Sequence, residues 1–508
     1  MNFKSSSYFN KVRRREEFFA TEHLKSGIKQ RSVRGGAIML AVQAGKFFLQ
    51  LSSTCVLARL LTPSDFGFIA MAAVVTGFVN LFKDMGLSMA TVQKVEVTHA
   101  QVSTLFWINL GVVIALALGT AAIAPLVEWL YGEPGLTLVT IVLGSLIIFA
   151  GLSVQHQALL QRQMRYKSLG FIDLTSMFIG IVVGVVFAWH GAGYWALVAM
   201  TGATAASNAV LVWSVCSWRP GLPNRRSGVR SMLVFGGNLT GFNLINFFSR
   251  NADNALIGWW WGSGPLGLYS KAYGILLLPM RQITVPLSQV AIPVLSRLHD
   301  DPERYRRTYL RVVQKIALVA VPLAAFLFVT SDWVIEVVLG PQWTQAARIF
   351  AWLSIAAVTQ PISSTAGWLF VTQDRTKELF LIGLFSGVLI VTSFVVGLPW
   401  GPVGVAASYS ISGALVRLPI LFWYIGRRGP VRASDLYASL VLPLFVGAGV
   451  AGAVALTRWL LDTQNSLTGI LAAGFVAAVT MVICLVSLPI GRDTLNDFKD
   501  LLVTGLKR

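Results

Sequence analysis

The sequence is poor in charged residues, and above all in acids. Only 12% of its 508 residues are charged, and Lys and Arg outnumber Asp and Glu by 41 to 22. Soluble domains carry about 25% charged residues, whereas 55% of this chain is hydrophobic. The composition excludes an ordinary soluble protein. It predicts an all-α polytopic membrane protein, because a membrane β-barrel would alternate polar and apolar residues along each strand.

Residues that build covalent and metal sites are also scarce. The three cysteines, Cys55, Cys216 and Cys484, lie in apolar runs and predict no disulfide framework. The five histidines are scattered, no Cys/His set has zinc spacing, and no Walker-type phosphate loop occurs in the sequence. The sequence therefore gives no reason to expect an enzyme, a cofactor or a metal site.

Long apolar runs account for most of the chain. A run of about 20 apolar residues is long enough to span a membrane as a helix, and we predict about 14 such spans. They form two six-helix lobes followed by two further helices. The spans are expected near 36–60, 67–90, 102–124, 136–160, 168–190 and 193–217 in the first lobe, near 232–260, 268–294, 309–331, 345–370, 378–398 and 402–425 in the second, and near 436–458 and 467–489 after it. The expected segments are a basic cytoplasmic arm (1–34), an N-lobe (35–217), a cytoplasmic linker (218–231), a C-lobe (232–426), the last two spans (434–490) and a cytoplasmic tail (491–508).

The basic residues are distributed unevenly between the loops. With both termini placed in the cytoplasm, 31 of the 41 Lys and Arg residues fall in cytoplasmic segments, against Arg59 and Arg458 in outside loops. The positive-inside rule predicts this asymmetry. We therefore interpret the net charge of +19 as a topology signal and a contact with anionic membrane lipids, not as a nucleic-acid surface.

Two of the apolar runs carry a stripe of polar residues. The stripe in the second half consists of Asn243, Asn246, Arg250 and Asn254. The stripe 200 residues earlier consists of Gln43, Lys46, Gln50 and Thr54. Their spacing places each set on one face of a helix. Such a stripe is either a polar seam between packed helices or a wall of a transport pathway, and its recurrence favours the pathway.

A second set of matches indicates two related halves. The matching positions lie 210 residues apart and include Gln163, Arg165 and Lys167 in the first half and Gln373, Arg375 and Lys377 in the second. Each half holds six predicted spans. Because six is even, both halves must insert with the same orientation, which predicts parallel repeats about an axis along the membrane normal.

Charged residues inside the predicted spans are few, and cations outnumber acids. Lys46, Arg250 and Arg281 lie near the middle of their spans. Asp84 and Asp253 are each close in sequence to a cation, so local charge compensation is an alternative interpretation of both. The excess positive charge predicts a cavity between the lobes that accepts an anion. Arg binds phosphate through two hydrogen bonds, and Lys binds it as a point charge.

Three stretches are similar to signatures of a known family. The first consists of RNADNALIG at 250–258 followed by GPLGLYSKAY at 264–273, the second is ARLLTPSDFG at 58–67, and the third is DMGLS at 84–88. In these stretches and in its number of spans, the chain resembles the bacterial polysaccharide transporters (Wzx-type flippases) of the multidrug/oligosaccharidyl-lipid/polysaccharide exporter superfamily. The resemblance covers nearly the whole chain after residue 34.

The resemblance implies a function in the bacterial cytoplasmic membrane. Members of the family flip undecaprenyl-diphosphate-linked oligosaccharides to the outer leaflet by alternating access, for assembly of O-antigen, capsule or exopolysaccharide. The implied partners are this lipid-linked substrate, membrane lipids, polysaccharide polymerases and chain-length proteins, with no nucleic acid and no cofactor.

The embedded charges and the resemblance together predict a substrate site. We expect Lys46, Arg250 and Arg281 to hold the diphosphate. The residues expected to contact sugar hydroxyls or water are Gln43, Gln50, Asn243 and Asn246. Asp253 or Asp84 is expected to carry a coupling proton or sodium ion.

Other functions remain open on the sequence alone. A multidrug or ion antiporter of the same superfamily would need embedded carboxylates for organic cations, whereas the embedded excess here is positive. A membrane-bound polysaccharide polymerase or ligase would need a large outside loop, whereas the predicted outside loops are short. A structural membrane scaffold gives no reason for two polar stripes.

Overall fold

Helices and the turns between them form two compact units. The computed structural model describes Phe19 and residues 28–84, 86–94, 97–224, 247–461 and 465–487. The first unit extends to Asn251 and includes Gly262–Gly264, and the second consists of Ala252–Trp261 and the residues from Pro265 onward. The domain boundaries expected from the sequence, including the linker at 218–231, stay a prediction.

The first unit contains eight α-helices in its described residues. They are α1 (Ile28–Leu60), α2 (Pro63–Asn80), α3 (Leu87–Gln93), α4 (His99–Tyr131), α5 (Leu136–Ser145), α6 (Ile147–Arg162), α7 (Tyr166–Trp189) and α8 (Trp195–Val215). The described part of helix α9 (247–261) belongs to this unit up to Asn251 and to the second unit from Ala252.

The second unit continues with nine further α-helices in its described residues. They are α10 (Ser263–Arg297), α11 (Pro302–Val329), α12 (Ser331–Leu339), α13 (Ala346–Thr372), α14 (Thr376–Gly397), α15 (Gly401–Ser412), α16 (Leu418–Gly426), α17 (Ala433–Leu461) and α18 (Ser466–Ser487). Short 3-10 turns occur at Pro341–Trp343 and Leu398–Trp400, and a π-helical turn occurs at Gly413–Arg417.

Eleven helical segments of the described residues are long and apolar enough to cross a membrane. One of them, Thr376–Gly426, contains both of the spans expected at 378–398 and 402–425. The expected span 232–260 begins outside the described residues, and α10, which covers the expected span 268–294, is not among the eleven. The prediction of an all-α polytopic membrane protein is confirmed, and the count of 14 spans stays a prediction.

Helix α2 ends earlier than the sequence predicts. The span expected at 67–90 ends as a helix at Asn80, and α3 begins at Leu87. Between them, Gly86 adopts a φ of 66°, a left-handed conformation that residues with a Cβ rarely adopt. The break places Asp84 in a turn between two helices, whereas we expected it inside a span.

Two other predicted spans are interrupted. The span expected at 136–160 is divided at Leu146 into α5 and α6. The span expected at 402–425 contains the π-helical turn Gly413–Arg417. A π turn breaks the regular ladder of helical hydrogen bonds and is frequent at functional sites. The last residue of this turn is Arg417.

The same turn ends α6 in the first unit and α13 in the second. Met164 and Asp374, which are 210 residues apart, have positive φ angles of 54° and 56°. In each turn the following residue donates its N–H to a carbonyl five residues back, at 3.0 Å for Arg165 to Leu160 and 2.8 Å for Arg375 to Phe370. Each unit thus ends a helix with the same hydrogen bond at a matching position of the repeat.

Small residues allow α7 and α8 to approach each other closely. A Cβ atom at Gly180 would lie 2.8 Å from the carbonyl oxygen of Met200 and would overlap the side chain of Thr204. A Cβ atom at Gly184 would lie 2.8 Å from the Cβ of Met200. Close backbone approach of this kind is a main source of packing energy between membrane helices.

We expect Gly180→Ala to lower the free energy of unfolding by about 1–3 kcal/mol, because the backbone oxygen of Met200 cannot move aside. The measurement is the thermal unfolding midpoint of the detergent-solubilised chain. Gly111→Ala in α4 is the control, because a Cβ there meets nothing within 4 Å, and we expect it to keep or raise the midpoint. Equal losses in the two variants would contradict the packing of α7 on α8.

Helices α17 and α18 are integral to the second unit. Apolar residues of α17 and α18, such as Val450 and Ala473, pack around Trp333 of α12. Arg458 of α17 donates from Nη1 to Oδ1 of Asp332 at 2.7 Å. Burial opposes ionisation of Asp332, but the hydrogen bond and charge of Arg458 outweigh it and hold the pKa of Asp332 below its ordinary value. These contacts fix the last two helices against α12.

Candidate functional site

Lys46 lies in α1 and forms an ion pair with Asp173 of α7. The distance between Lys46 Nζ and Asp173 Oδ2 is 2.5 Å. The side chains are 35% and 32% exposed, so the pair is accessible at the surface of its unit. The sequence placed Lys46 correctly on a polar helix face but did not identify Asp173 as its partner. The lysine therefore has a counter-ion in place while still facing open space.

The other polar residues of the first stripe surround this ion pair on α1. Gln43 and Gln50 are exposed, and Thr54 is half-buried. Gln43 and Gln50 lie three residues before and four residues after Lys46, which are the spacings of neighbours on a helix surface. An exposed amide offers both donors and acceptors, so this face can bind hydroxyl groups beside an anion.

Arg250 is exposed in α9. A guanidinium group keeps its charge in any environment and presents donors in a planar fork that matches the oxygens of phosphate. Its neighbours Phe247 and Phe248 pack with Phe78 of α2 at ring-centroid distances of 6.0 and 5.6 Å, which holds this part of α9 in the first unit. Arg250 is therefore an accessible cation in a helical segment that packs on α2.

Asp253 is buried and is bound by two donors of the second unit. The hydroxyl of Tyr269 in α10 donates to Oδ2 at 2.9 Å, and the backbone N–H of Asn254 donates to Oδ1 at 2.8 Å. Both hydrogen bonds of its side chain are thus made within its own unit. The alternative interpretation from the sequence was that Asp253 compensates the charge of Arg250. In the part of the chain that the structure describes, the buried Oδ1 of Asn254 has no hydrogen-bond partner.

A network of tyrosines joined by one glutamine follows in the same unit. Nε2 of Gln360 in α13 donates to the hydroxyl oxygens of Tyr273 at 3.0 Å and Tyr409 at 3.2 Å. Arg417 lies over the ring of Tyr409, 4.3 Å from its centroid, and its Nη2 donates to the Tyr409 carbonyl at 2.7 Å. These contacts link α10, α13 and α15 to one another, and Tyr409 connects them to Arg417 in the π-helical turn.

Sequence reasoning did not find Gln360, Tyr273 or Tyr409 as members of a polar site. Gln360 is an uncharged residue beside Pro361 in a long apolar helix, and a polar residue at such a place was a signal that could have been used. The hydroxyl contacts of Tyr273 and Tyr409 with Gln360 depend on how three helices pack, which the sequence does not show.

We expect Tyr269→Phe to lower the free energy of unfolding by about 1–3 kcal/mol, because a buried carboxylate oxygen loses its donor. The measurement is again the thermal midpoint in detergent. Tyr437→Phe is a suitable control, because Tyr437 is 47% exposed and its ring packs on Phe422 without needing the hydroxyl. A midpoint for Tyr269→Phe that equals the parent's would show that the hydrogen bond to Asp253 is unimportant for folding.

Asp84, the second candidate for ion coupling, accepts hydrogen bonds at the start of α3. The backbone N–H of Ser88 donates to Oδ1 at 2.9 Å, and the Ser88 hydroxyl donates to Oδ2. A carboxylate that binds a free N–H in the first turn of a helix is a capping group. The structure thus gives Asp84 a local structural role.

Three predicted site residues have side chains that the structure does not describe. Arg281 lies in the middle of α10, but its side chain is outside the described atoms. Asn243 and Asn246 lie outside the described residues. Their predicted contacts with substrate stay predictions.

Comparison with known proteins identifies relatives in polysaccharide biosynthesis. A family profile described as polysaccharide biosynthesis protein matches residues 56–348. The lipopolysaccharide biosynthesis protein WzxC of Escherichia coli (strain K12) is 23% identical over 438 residues, which cover 82% of this chain and 85% of that protein. The teichuronic acid biosynthesis protein TuaB of Bacillus subtilis (strain 168) is 24% identical over 440 residues, which cover 85% and 88%.

Two solved structures share the fold. The inward closed conformation of the lipid II flippase MurJ matches with a TM-score of 0.69 at 14% identity, covering 89% of this chain and 98% of that one. An inward-facing multidrug resistance transporter of the MATE family and MOP superfamily matches with a TM-score of 0.60 at 13% identity, covering 77% and 95%. At these identities the likeness establishes the fold alone.

Proposed function

This chain belongs to the polysaccharide biosynthesis protein family, and we propose that it is a flippase for undecaprenyl-diphosphate-linked oligosaccharides. Such a protein binds the lipid-linked saccharide on one side of the membrane and releases it on the other by alternating access. The relatives WzxC and TuaB bear names of cell-surface polysaccharide biosynthesis. The flippase MurJ, whose name specifies a lipid-linked substrate, has the same fold.

The observation that carries the proposal is the accessible cation in an apolar helix. Lys46 is only partly shielded by Asp173 and is flanked on the same helix face by exposed Gln43 and Gln50. A charged residue in a membrane helix is expensive and is kept mainly where it binds a partner or lines a pathway. The combination of ammonium and amides fits a substrate that joins phosphate to sugar.

We assign roles to the site residues on this basis. Lys46 and Arg250, together with the predicted contact of Arg281, hold the diphosphate. Gln43 and Gln50 contact sugar hydroxyls or water, and the same role is proposed for Asn243 and Asn246. The polyprenyl chain needs no polar partner and stays in lipid.

Ion coupling is assigned to Asp253. Its carboxylate is buried and bound by uncharged donors, so binding of a proton or a sodium ion changes the charge of the site. Asp84 is set aside for this role, because its oxygens serve the first turn of α3.

The proposed location is the bacterial cytoplasmic membrane, with both termini in the cytoplasm. The concentration of Lys and Arg in alternate loops supports this orientation. There the flippase would deliver its substrate to polysaccharide polymerases and chain-length proteins. The glycan belongs to O-antigen, capsule or exopolysaccharide.

The test is delivery of lipid-linked oligosaccharide across the membrane of vesicles that contain the purified chain. A lectin added outside measures arrival of the saccharide, with a proton or sodium gradient imposed across the vesicle membrane. We expect the lectin signal to depend on the chain, while an organic cation dye is not moved. Dye movement without lipid-linked saccharide movement would instead support the multidrug antiporter.

A further inference from the structure

Asp173 forms the ion pair with Lys46 although 127 residues separate the two in the sequence. Lys46 is the residue that the proposed function assigns to the diphosphate. Each partner of the pair remains about one-third exposed, at 35% and 32%. A third group can therefore approach the ammonium without unpacking of either helix.

Tight packing of α1 on α7 fixes the two backbones around this ion pair. A Cβ at Gly170 would overlap the side chain of Val42, and a Cβ at Gly45 would lie 3.1 Å from Cδ2 of Leu174. Because glycine has no side chain at these points, the two helices are already in close contact, and this contact holds them together. The pair can open by rotation of the side chains alone.

The chemistry of lysine suits an exchange of partners. An ammonium group has three donors and binds a carboxylate or a phosphate oxygen as a point charge, without a fixed planar geometry. Partly exposed ion pairs are weak, so Asp173 does not hold Lys46 strongly. A carboxylate beside a bound diphosphate repels it, and a transported substrate must be bound weakly enough to leave.

We propose that Asp173 is a positioning residue that holds Lys46 in the absence of substrate and releases it to the diphosphate on binding. The inference rests on the proposed function and adds a residue that sets affinity and release. Asp173 lowers the affinity for the diphosphate. It also forms the ion pair with Lys46 again as the substrate leaves, which speeds release of the substrate on the far side of the membrane.

The experiment measures binding of undecaprenyl diphosphate, without saccharide, to the full chain in lipid nanodiscs. We expect Asp173→Asn and Asp173→Ser to bind about tenfold more tightly than the parent, because the competing charge is gone. Asp173→Glu restores the charge and should bind as the parent does. In vesicles the tighter-binding variants should flip lipid-linked saccharide more slowly. Asp332→Asn, which removes the acid of another ion pair, is the matched control and should bind as the parent does.

Lys46→Gln separates this inference from a structural role of Asp173. In that background, Asp173→Asn should no longer raise the affinity, because the carboxylate acts through Lys46. If folded Asp173→Asn and Asp173→Ser bind no more tightly than the parent, the inference is wrong, even when the parent flips its substrate. If the parent neither binds undecaprenyl diphosphate nor flips the saccharide, the proposed function itself fails.

Discussion

Replacement of Lys46 and Arg250 together by glutamine is expected to weaken binding of undecaprenyl diphosphate by at least about 100-fold. Each charge-assisted hydrogen bond to phosphate contributes about 1.5–3 kcal/mol, and about 1.4 kcal/mol corresponds to a tenfold change in affinity. Glutamine keeps a polar side chain of moderate length, so the loss reports the charge. The measurement is the dissociation constant in lipid nanodiscs, with the thermal midpoint recorded to establish that the variant is folded.

The control for this double variant is Arg307→Gln together with Lys94→Gln. Arg307 is exposed and pairs with Glu303 on the surface of α11, and Lys94 follows α3. These changes remove the same formal charge from the chain without touching the stripe of α1 or Arg250 in α9. An equal loss of affinity in the control would mean that net charge, and not the site, attracts the diphosphate.

Asp253→Asn is expected to abolish the response of flipping to an ion gradient. Asparagine has nearly the same shape and still accepts the hydrogen bond of Tyr269 through its amide oxygen, so the packing of α9 on α10 is kept. It cannot gain or lose a proton and binds sodium less strongly than a carboxylate does. The measurement is the initial flipping rate in vesicles with and without the gradient, and we expect the ratio to fall to about 1 in the variant.

Asp84→Asn provides the comparison for this result. Asp84 caps the first turn of α3, and asparagine is an equally good cap, so the gradient response should be unchanged. If Asp84→Asn lost the gradient response and Asp253→Asn kept it, the coupling residue would be Asp84 and not Asp253.

The sequence predicted those features that depend on one helix at a time. The stripe of Gln43, Lys46 and Gln50 follows from helical spacing, and the apolar runs follow from the length needed to span a membrane. The exposed position of Gln43 and Gln50 agrees with a polar face open to solvent or substrate. Features of this kind need only the periodicity of the backbone.

Features that depend on the packing of several helices were not predictable. The partner of Lys46 is Asp173 in another helix, and the contacts of Gln360 join tyrosines of α10 and α15. Such pairs depend on the rotation and height of each helix, to which an unaligned sequence gives no guide. Closeness in the sequence did not identify the partner of Asp253 either. Arg250 is the nearest cation in the sequence, but the carboxylate of Asp253 accepts a hydrogen bond from Tyr269.

Helix ends were predicted less well than helix cores. Helix α2 ends at Asn80, and the capping aspartate and left-handed glycine that precede α3 follow four and six residues later, within a stretch that is still largely apolar. A hydropathy average along the sequence does not reveal such a break, because few polar residues occur there. As a result Asp84, which lies in the turn between α2 and α3, was assigned to the interior of a helix.

The central claim, that this chain carries a diphosphate-linked saccharide by means of a positive site, is tested most directly by one flipping assay with two substrates. Both carry the same saccharide and the same prenyl chain, joined by a diphosphate in one and by an uncharged ether in the other. We expect the vesicles to deliver the diphosphate-linked saccharide and to leave the ether-linked one, with the difference lost in the Lys46 and Arg250 double variant. Equal delivery of both substrates by the parent would contradict the account.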